Sequence, residues 1–269
     1  MDNRSIGIFD SGLGGLTSVC EIIKILPNEN IVYFGDTGRV PYGSRSVETI
    51  VKYVRQDINF LQSFNVKIII SACGTASSVA LPVVKKDYEI ELMSVLEPSF
   101  IKASKVTINK KIGILGTERT IKSGRCVEIL KNIDPEIVTV SKACPMFVPL
   151  VENGYVEGSV TSLIVEEYLN VLKQEIVDTI VLACTHFPLL KRAIKNCVGS
   201  NMKLIDSGKC VVEHAKDFLK ANNMLSDNKG FGKIKYFVSD SCESFINSGK
   251  IFLKKDISGC VDQIEIEKY

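Results

Sequence analysis

Two segments of this chain carry one pattern, an apolar run that ends in a cysteine and is followed by small polar residues. The first is Lys67-Ile68-Ile69-Ile70-Ser71 leading to Ala72-Cys73-Gly74-Thr75; the second is Thr179-Ile180-Val181-Leu182 leading to Ala183-Cys184-Thr185-His186. Short continuous apolar runs of this kind read as strands of a parallel sheet, buried on both faces. Each strand delivers a thiol to a strand-to-helix turn, where backbone N–H groups of the next helix favour a thiolate and can hold a substrate carboxylate. A helix terminus or a nearby cation can bring a thiol from its unperturbed pKa of about 8.5 toward neutrality. Two facing thiols can act as base on one side of a carbon and as acid on the other. One is then thiolate and the other thiol, so they titrate as a coupled unit.

The nine cysteines (20, 73, 126, 144, 184, 197, 210, 242 and 260) are odd in number, scattered, and contain no C-x-x-C spacing. That spacing fits neither a disulfide scaffold nor a zinc knuckle. Free cysteine packs as a small hydrophobe, so the others read as core residues. With 269 residues, of which 45% are hydrophobic, the chain can fill one large core or two smaller ones. Lys+Arg 33 against Asp+Glu 31 leaves a net charge of +2, too balanced to point to a nucleic-acid or membrane partner. No apolar run approaches the roughly 18 residues of a membrane span, and a cytoplasmic location is the expectation.

Positioning the thiols requires an alternating framework. Strands are predicted at 5–10, 31–35, 67–72 and 92–95, with helices at 14–26, 46–64 and 75–86 between them. The pattern repeats from about 111, with strands near 136–141, 178–183 and 203–205; Asp206-Ser207-Gly208 opens a final helix, and Lys233–Val238 forms one more strand. Ile6-Gly7-Ile8 matches Ile112-Gly113-Ile114 at an offset of 106, close to the offset of 111 between Cys73 and Cys184. Similar offsets imply duplication. The expected fold is α/β, two pseudo-symmetric doubly wound lobes with mainly parallel sheets and the active site in the cleft between them. The expected lobes are 1–96 plus 207–269, the C-terminal segment returning to the first lobe, and 97–206.

The glycine-rich Asp10-Ser11-Gly12-Leu13-Gly14-Gly15 does not fit G-x-G-x-x-G, and Asp36 sits in a Gly-Asp-Thr-Gly turn rather than as a ribose partner. The loop reads instead as a tight turn that brings Asp10 and Ser11 to the carboxyl end of the sheet. By itself, Asp10 reads equally as a helix cap. His186, taken alone, is a cap or surface group; beside Cys184 it becomes a thiolate partner. Tyr42-Gly43 is ordinarily a turn, Glu152 before Asn153-Gly154 equally a helix end, and His214 a structural or exposed histidine.

Six blocks, in order, carry a resemblance to a known family. They are Ile8-Phe9-Asp10-Ser11-Gly12-Leu13-Gly14-Gly15-Leu16; Tyr33-Phe34-Gly35-Asp36-Thr37 with Pro41-Tyr42-Gly43; Ala72-Cys73-Gly74-Thr75-Ala76; Cys144-Pro145-Met146-Phe147-Val148-Pro149-Leu150-Val151-Glu152; Cys184-Thr185-His186-Phe187-Pro188-Leu189-Leu190; and Ile205-Asp206-Ser207-Gly208. Together they resemble the signature blocks of bacterial glutamate racemases, from Ile6 to about His214. The resemblance implies racemisation of L- and D-glutamate without cofactor or metal, supplying D-glutamate for peptidoglycan. Cys73 and Cys184 would be the paired acid and base, with Asp10 and His186 assisting proton movement and Glu152 tuning the Cys184 side. Substrate contacts would come from Asp10, Ser11, Tyr42, Gly43, Gly74, Thr75, Thr185 and His186. The partner implied is the small-molecule substrate glutamate, with no nucleic acid and no membrane, and with room for a homodimer. One departure is Gly74, where the family usually has Asn; the side-chain amide is lost and a backbone N–H remains.

Removing the α-proton of an amino-acid zwitterion gives a poor carbanion, which must be stabilised by placed hydrogen bonds and exclusion of water. Two rivals remain. An aspartate racemase or another member of the superfamily would keep both cysteines, but such relatives more often lack the histidine that His186 supplies. A non-catalytic two-lobe amino-acid-binding protein explains the fold but gives no reason for matched thiols.

Overall fold

The computed structural model describes residues 1–269. Ten strands run β1 Ile6–Asp10, β2 Ile31–Gly35, β3 Ile68–Ser71, β4 Leu92–Ser94, β5 Lys111–Gly116, β6 Val138–Ala143, β7 Thr179–Leu182, β8 Lys203–Asp206, β9 Ile234–Val238 and β10 Val261–Gln263. The helices between them are α1 Leu16–Ile25, α2 Val47–Gln62, α3 Gly74–Val79, α4 Leu81–Val84, α5 Leu96–Val106, α6 Glu118–Lys122, α7 Arg125–Ile133, α8 Phe147–Glu152, α9 Ser159–Gln174, α10 Lys191–Val198, α11 Ser207–Ala221 and α12 Cys242–Leu253.

The strands form two sheets, β10-β9-β2-β1-β3-β4 and β6-β5-β7-β8. Every pairing is parallel. The order β2-β1-β3-β4 within the first equals the order of the whole second sheet, which is the topological form of the repeat legible in the sequence. Strands β9 and β10 extend the first sheet beyond β2.

Alternation along the strands separates two cores, because successive side chains point to opposite sheet faces. Ile6, Ile8, Tyr33, Ile68 and Ile70 enter a cluster of 51 buried residues that continues into the second sheet through Ile112, Ile114 and Val181. Phe9, Val32, Phe34 and Ile69 point the other way, into a 19-residue cluster closed by Ile50, Val54, Ile58 and Leu61 of α2. Capping fixes where the helices begin: Ser46 accepts from Thr49 N–H at 3.2 Å and Asp206 from Lys209 N–H at 3.2 Å.

Three expectations need correction. The helix predicted at 75–86 is broken at Ala80 into α3 and α4, with Pro82 in the first turn of α4, where its missing N–H costs nothing. The strand predicted at 136–141 starts at Val138, since Glu136 is held in a turn by the Asp134 carboxylate, which accepts its N–H at 2.9 Å. The helix opened by Asp206 is not the last: α12 follows, capped by Ser241 accepting from Ser244 N–H at 3.2 Å, and then β10.

At the amino ends of the strands, remote from the thiols, Lys67 and Glu29 form a buried ion pair at 2.5 Å. The contact is ionic rather than well aligned, leaving Glu29 Oε2 without a directed donor. Lys67 Nζ also donates to the Asp2 and Met224 carbonyls at 2.7 and 2.8 Å, and Glu29 Oε1 accepts Ser226 N–H at 2.8 Å. The pair thus ties the N-terminal segment and the residues after α11 to the starts of β2 and β3. Removing one partner strands a buried charge, so Lys67→Met should lower unfolding free energy by about 3–5 kcal/mol. Adding Glu29→Gln should recover most of that loss in denaturant titration; a double variant no more stable than the single one would exclude the charge as the cause.

Candidate active site

In an open α/β sheet, the chain leaves β1 toward β2 on one side and later returns to β3 on the other, opening a crevice at the carboxyl ends of β1 and β3. Asp10 and Ser11 leave β1 there, and Cys73, Gly74 and Thr75 leave β3. The second sheet repeats the geometry with Gly116-Thr117 after β5 and Cys184 after β7. The two carboxyl edges enclose a cleft of about 390 Å³, lined by Ser11, Tyr42, Gly43, Cys73, Gly74, Thr75, Glu152, Cys184, Thr185 and His186 among others. Of the residues singled out in the sequence, Asp10 alone does not line the cleft; it lies behind, 1% exposed.

Both sulfurs are nearly sealed, at 5% exposure for Cys73 and 7% for Cys184. Cys73 caps α3, its Sγ accepting from Ala76 N–H at 3.4 Å and lying 3.5 Å from Ser11 Oγ. Burial pushes the Cys73 thiol up to about 11, with the Asp10 charge adding and the Ala76 N–H opposing. Burial pushes Cys184 further still, opposed by the His186 N–H and reinforced by Cys73 and Asp10. This corrects the expectation that the helix termini draw the thiols toward neutrality. The six-residue α3 and the four-residue 3-10 turn Phe187–Leu190 are too short to offset desolvation, and no cation adjoins either sulfur strongly enough to do so.

The auxiliary groups differ on the two sides. Asp10 accepts Gly12 N–H at 3.0 Å and faces Thr185 Oγ1 at 3.4 Å; burial raises its pKa against the opposing charge of His186. His186 makes no side-chain cap and pairs its Nε2 with Glu152 Oε1 at 3.0 Å. Glu152 ends α8 with its side chain about one third exposed (33%), so the pair links a buried ring to solvent. His214 is exposed on α11.

Tyr42 and Gly43 both line the cleft, Gly43 necessarily with its main chain. The Tyr42 ring is buried, and its hydroxyl turns away to Asp36 and Asp57. Thr75 Oγ1 lies 3.0 Å from Thr117 Oγ1, bridging the two sheets. Thr117 was not among the sequence candidates, yet the repeat marks it: an offset of 106 carries Ser11 onto it.

Two glycines let the sheet edges meet. A Cβ at Gly14 would overlap Thr185 Oγ1, and one at Gly74 would overlap the Ala183 carbonyl oxygen and stand 3.8 Å from Cys184 Cα. The turns bearing the two cysteines therefore touch through backbone, leaving no space at 74 for a side chain.

A family model for Asp/Glu/hydantoin racemases matches residues 24–215. The glutamate racemase of Geobacter metallireducens is 42% identical over 264 residues, covering 98% of this chain and 97% of that protein. Glutamate racemase from Francisella tularensis, solved in complex with D-glutamate, superposes with a TM-score of 0.93 at 32% identity, covering 100% of both chains. An isoform from Bacillus anthracis gives 0.94 at 35% identity, covering 98% of each. The chain belongs to the Asp/Glu/hydantoin racemase family.

Contact between the cysteine turns fixes the separation of the two sheet edges at the cleft. Gly74→Asn should lower kcat by about 100-fold, the cost of roughly 1 Å of misplacement, and should lower the unfolding free energy by about 1–3 kcal/mol, as overpacking against main chain does. A lower KM with unchanged kcat would show instead that position 74 lacks only a contact. Burial of the thiols also sets a pH dependence. Because the Cys73 pKa is raised, its thiolate fraction in the free protein is small at pH 8 and grows as pH rises toward about 11. The rate of its alkylation should climb tenfold per pH unit through pH 10; a plateau near the unperturbed value of about 8.5 would contradict the effect of burial.

Proposed function

We propose that the chain interconverts L- and D-glutamate by a two-thiol acid/base mechanism without a cofactor, and supplies D-glutamate for peptidoglycan. The observation that carries this reading is the presentation of Cys73 and Cys184 by equivalent turns of two sheets onto one cleft. The D-glutamate in the Francisella tularensis relative supports the substrate class. The proposal includes a cytoplasmic enzyme able to form a homodimer, with 1–96 plus 207–269 as one lobe and 97–206 as the other. No helix is long and apolar enough to cross a membrane.

Each turnover begins with one thiol ionised. Asp10, behind Cys73, and the His186–Glu152 pair, beside Cys184, are the groups placed to take the proton, and the substrate ammonium offers the charge that a buried thiolate otherwise lacks. The thiolate takes the α-proton and becomes a thiol. The opposite thiol gives its proton to the other face of the carbon and becomes the thiolate, so one proton enters and one leaves. Electron density moving onto the substrate carboxylate is met by N–H groups at the turns and by the hydroxyls of Ser11, Thr75 and Thr185.

Purified protein should turn over D- and L-glutamate, and not aspartate, with chelator present and no cofactor added. Preference for aspartate would overturn the substrate, and a requirement for added metal or pyridoxal phosphate would overturn the chemistry. Division of labour between the thiols is read by exchange in deuterated water. Cys73→Ala and Cys184→Ala should abolish racemisation while each washes out the α-proton of a different enantiomer; exchange of the same enantiomer by both would favour a one-base mechanism.

A further inference from the structure

Behind the cleft wall formed by Pro41, Tyr42 and Gly43 lies a polar cluster whose two acids are buried. Asp36 follows β2, Asp57 lies on α2, and both are 0% exposed. The Tyr42 hydroxyl stands between them, bonded to Asp36 Oδ2 and lying 3.0 Å from Asp57 Oδ2. Arg39 is the one cation among them: its Nε donates to Asp36 Oδ2 at 2.6 Å, Nη2 to Asp57 Oδ1 at 3.2 Å, and Nη1 to Gln56 Oε1 at 2.6 Å. Its guanidinium stacks over the Tyr53 ring, 4.0 Å from the centroid.

Counting protons leaves one missing. A phenol carries a single hydrogen, and here both of its neighbours are carboxyl oxygens. If both aspartates were ionised, the hydroxyl could serve one, and its oxygen would face the other with two acceptors in contact. The two acids are not equivalent. Asp36 accepts from Arg39 Nε, from Tyr42 and from Ser239 Oγ at 2.7 Å, as an ionised carboxylate requires. Asp57 has only the longer Arg39 bond and the ambiguous Tyr42 contact.

We infer that Asp57 is held as a neutral carboxylic acid that donates its proton to the Tyr42 hydroxyl, which donates in turn to Asp36, and that this chain makes Asp57 a positioning residue for the Tyr42–Gly43 main chain on the cleft. One guanidinium then balances one carboxylate, and no buried charge is left over. Burial, with the Asp36 charge next, pushes the Asp57 pKa well above the usual carboxylate range against the pull of Arg39, and Asp10 acts in the same direction as Asp36. The Tyr42 hydroxyl, also raised by burial, stays protonated.

The state of Asp57 can be read whether or not the protein racemises glutamate. The infrared difference between wild type and Asp57→Asn at pH 7 should contain a protonated-carboxyl C=O stretch that shifts in deuterated water. Loss of ionised-carboxylate bands alone would overturn the inference. Kinetics, which rest on the proposed racemisation, supply the second arm. Asp57→Asn can donate from its amide as the neutral acid does and should keep the wild-type KM for glutamate, whereas Asp57→Ala should raise KM by about tenfold, as loss of roughly one hydrogen bond would, with a smaller change in kcat. An Asn variant that fails to fold, or that matches the Ala variant, would show that the ionised form is needed. Wild-type protein inactive on glutamate but carrying the infrared band would defeat the proposed function and leave this inference standing.

Discussion

Desolvation of two thiols is the constraint on which the rest of the structure depends. A thiolate in water forms readily but is a weak base toward an amino-acid α-proton, whereas one denied water and counter-charge is a stronger base and is correspondingly hard to form. The fold produces the second condition by pressing the carboxyl edges of two parallel sheets together. Neither edge alone could bury both sulfurs, and the glycines at 14 and 74 allow the edges to meet through main chain. Raised thiol pKa values are therefore a consequence of the sheet arrangement.

Duplication supplies the two sulfurs, but the halves have diverged in what surrounds them. Cys73 has Ser11 at 3.5 Å and a buried carboxyl behind it; Cys184 has a histidine whose partner, Glu152, reaches solvent. The same divergence shows in the first turn of each half: the offset of 106 that carries Ser11 onto Thr117 carries Asp10 onto Gly116, not onto an acid.

Much of this was legible in the sequence because it follows from local rules. Apolar runs gave the central strands to within a residue or two, the cysteines sat at their ends, and the parallel sense of the sheets followed from β-α-β alternation. What escaped depends on contacts between distant segments. Helix α12 carries Gly249 and short polar residues in its interior, which blur the apolar period, and its existence rests on packing Phe245 and Phe252 into the core. Tyr42 entered the candidate site through the resemblance alone, and only the fold brings Asp57 from α2 behind its ring. Thiol pKa was misjudged for a related reason: helix termini are visible in a sequence, while the depth of burial is not.

Groups that cost stability are concentrated along the carboxyl edges: two thiols, Asp10, and the Asp36–Asp57 pair. Natural folds tolerate such violations where chemistry is carried out, provided that other regions keep local and tertiary preferences in agreement. Here the compensation is spatially separate. The 51-residue core runs unbroken between the sheets, and the strand starts are tied by Lys67 to carbonyls of the N-terminal segment and of the chain after α11. A parallel sheet favours this division, since all its strands begin at one edge and end at the other. One edge can be fastened for stability while the opposite edge holds side chains in protonation states that water would not permit.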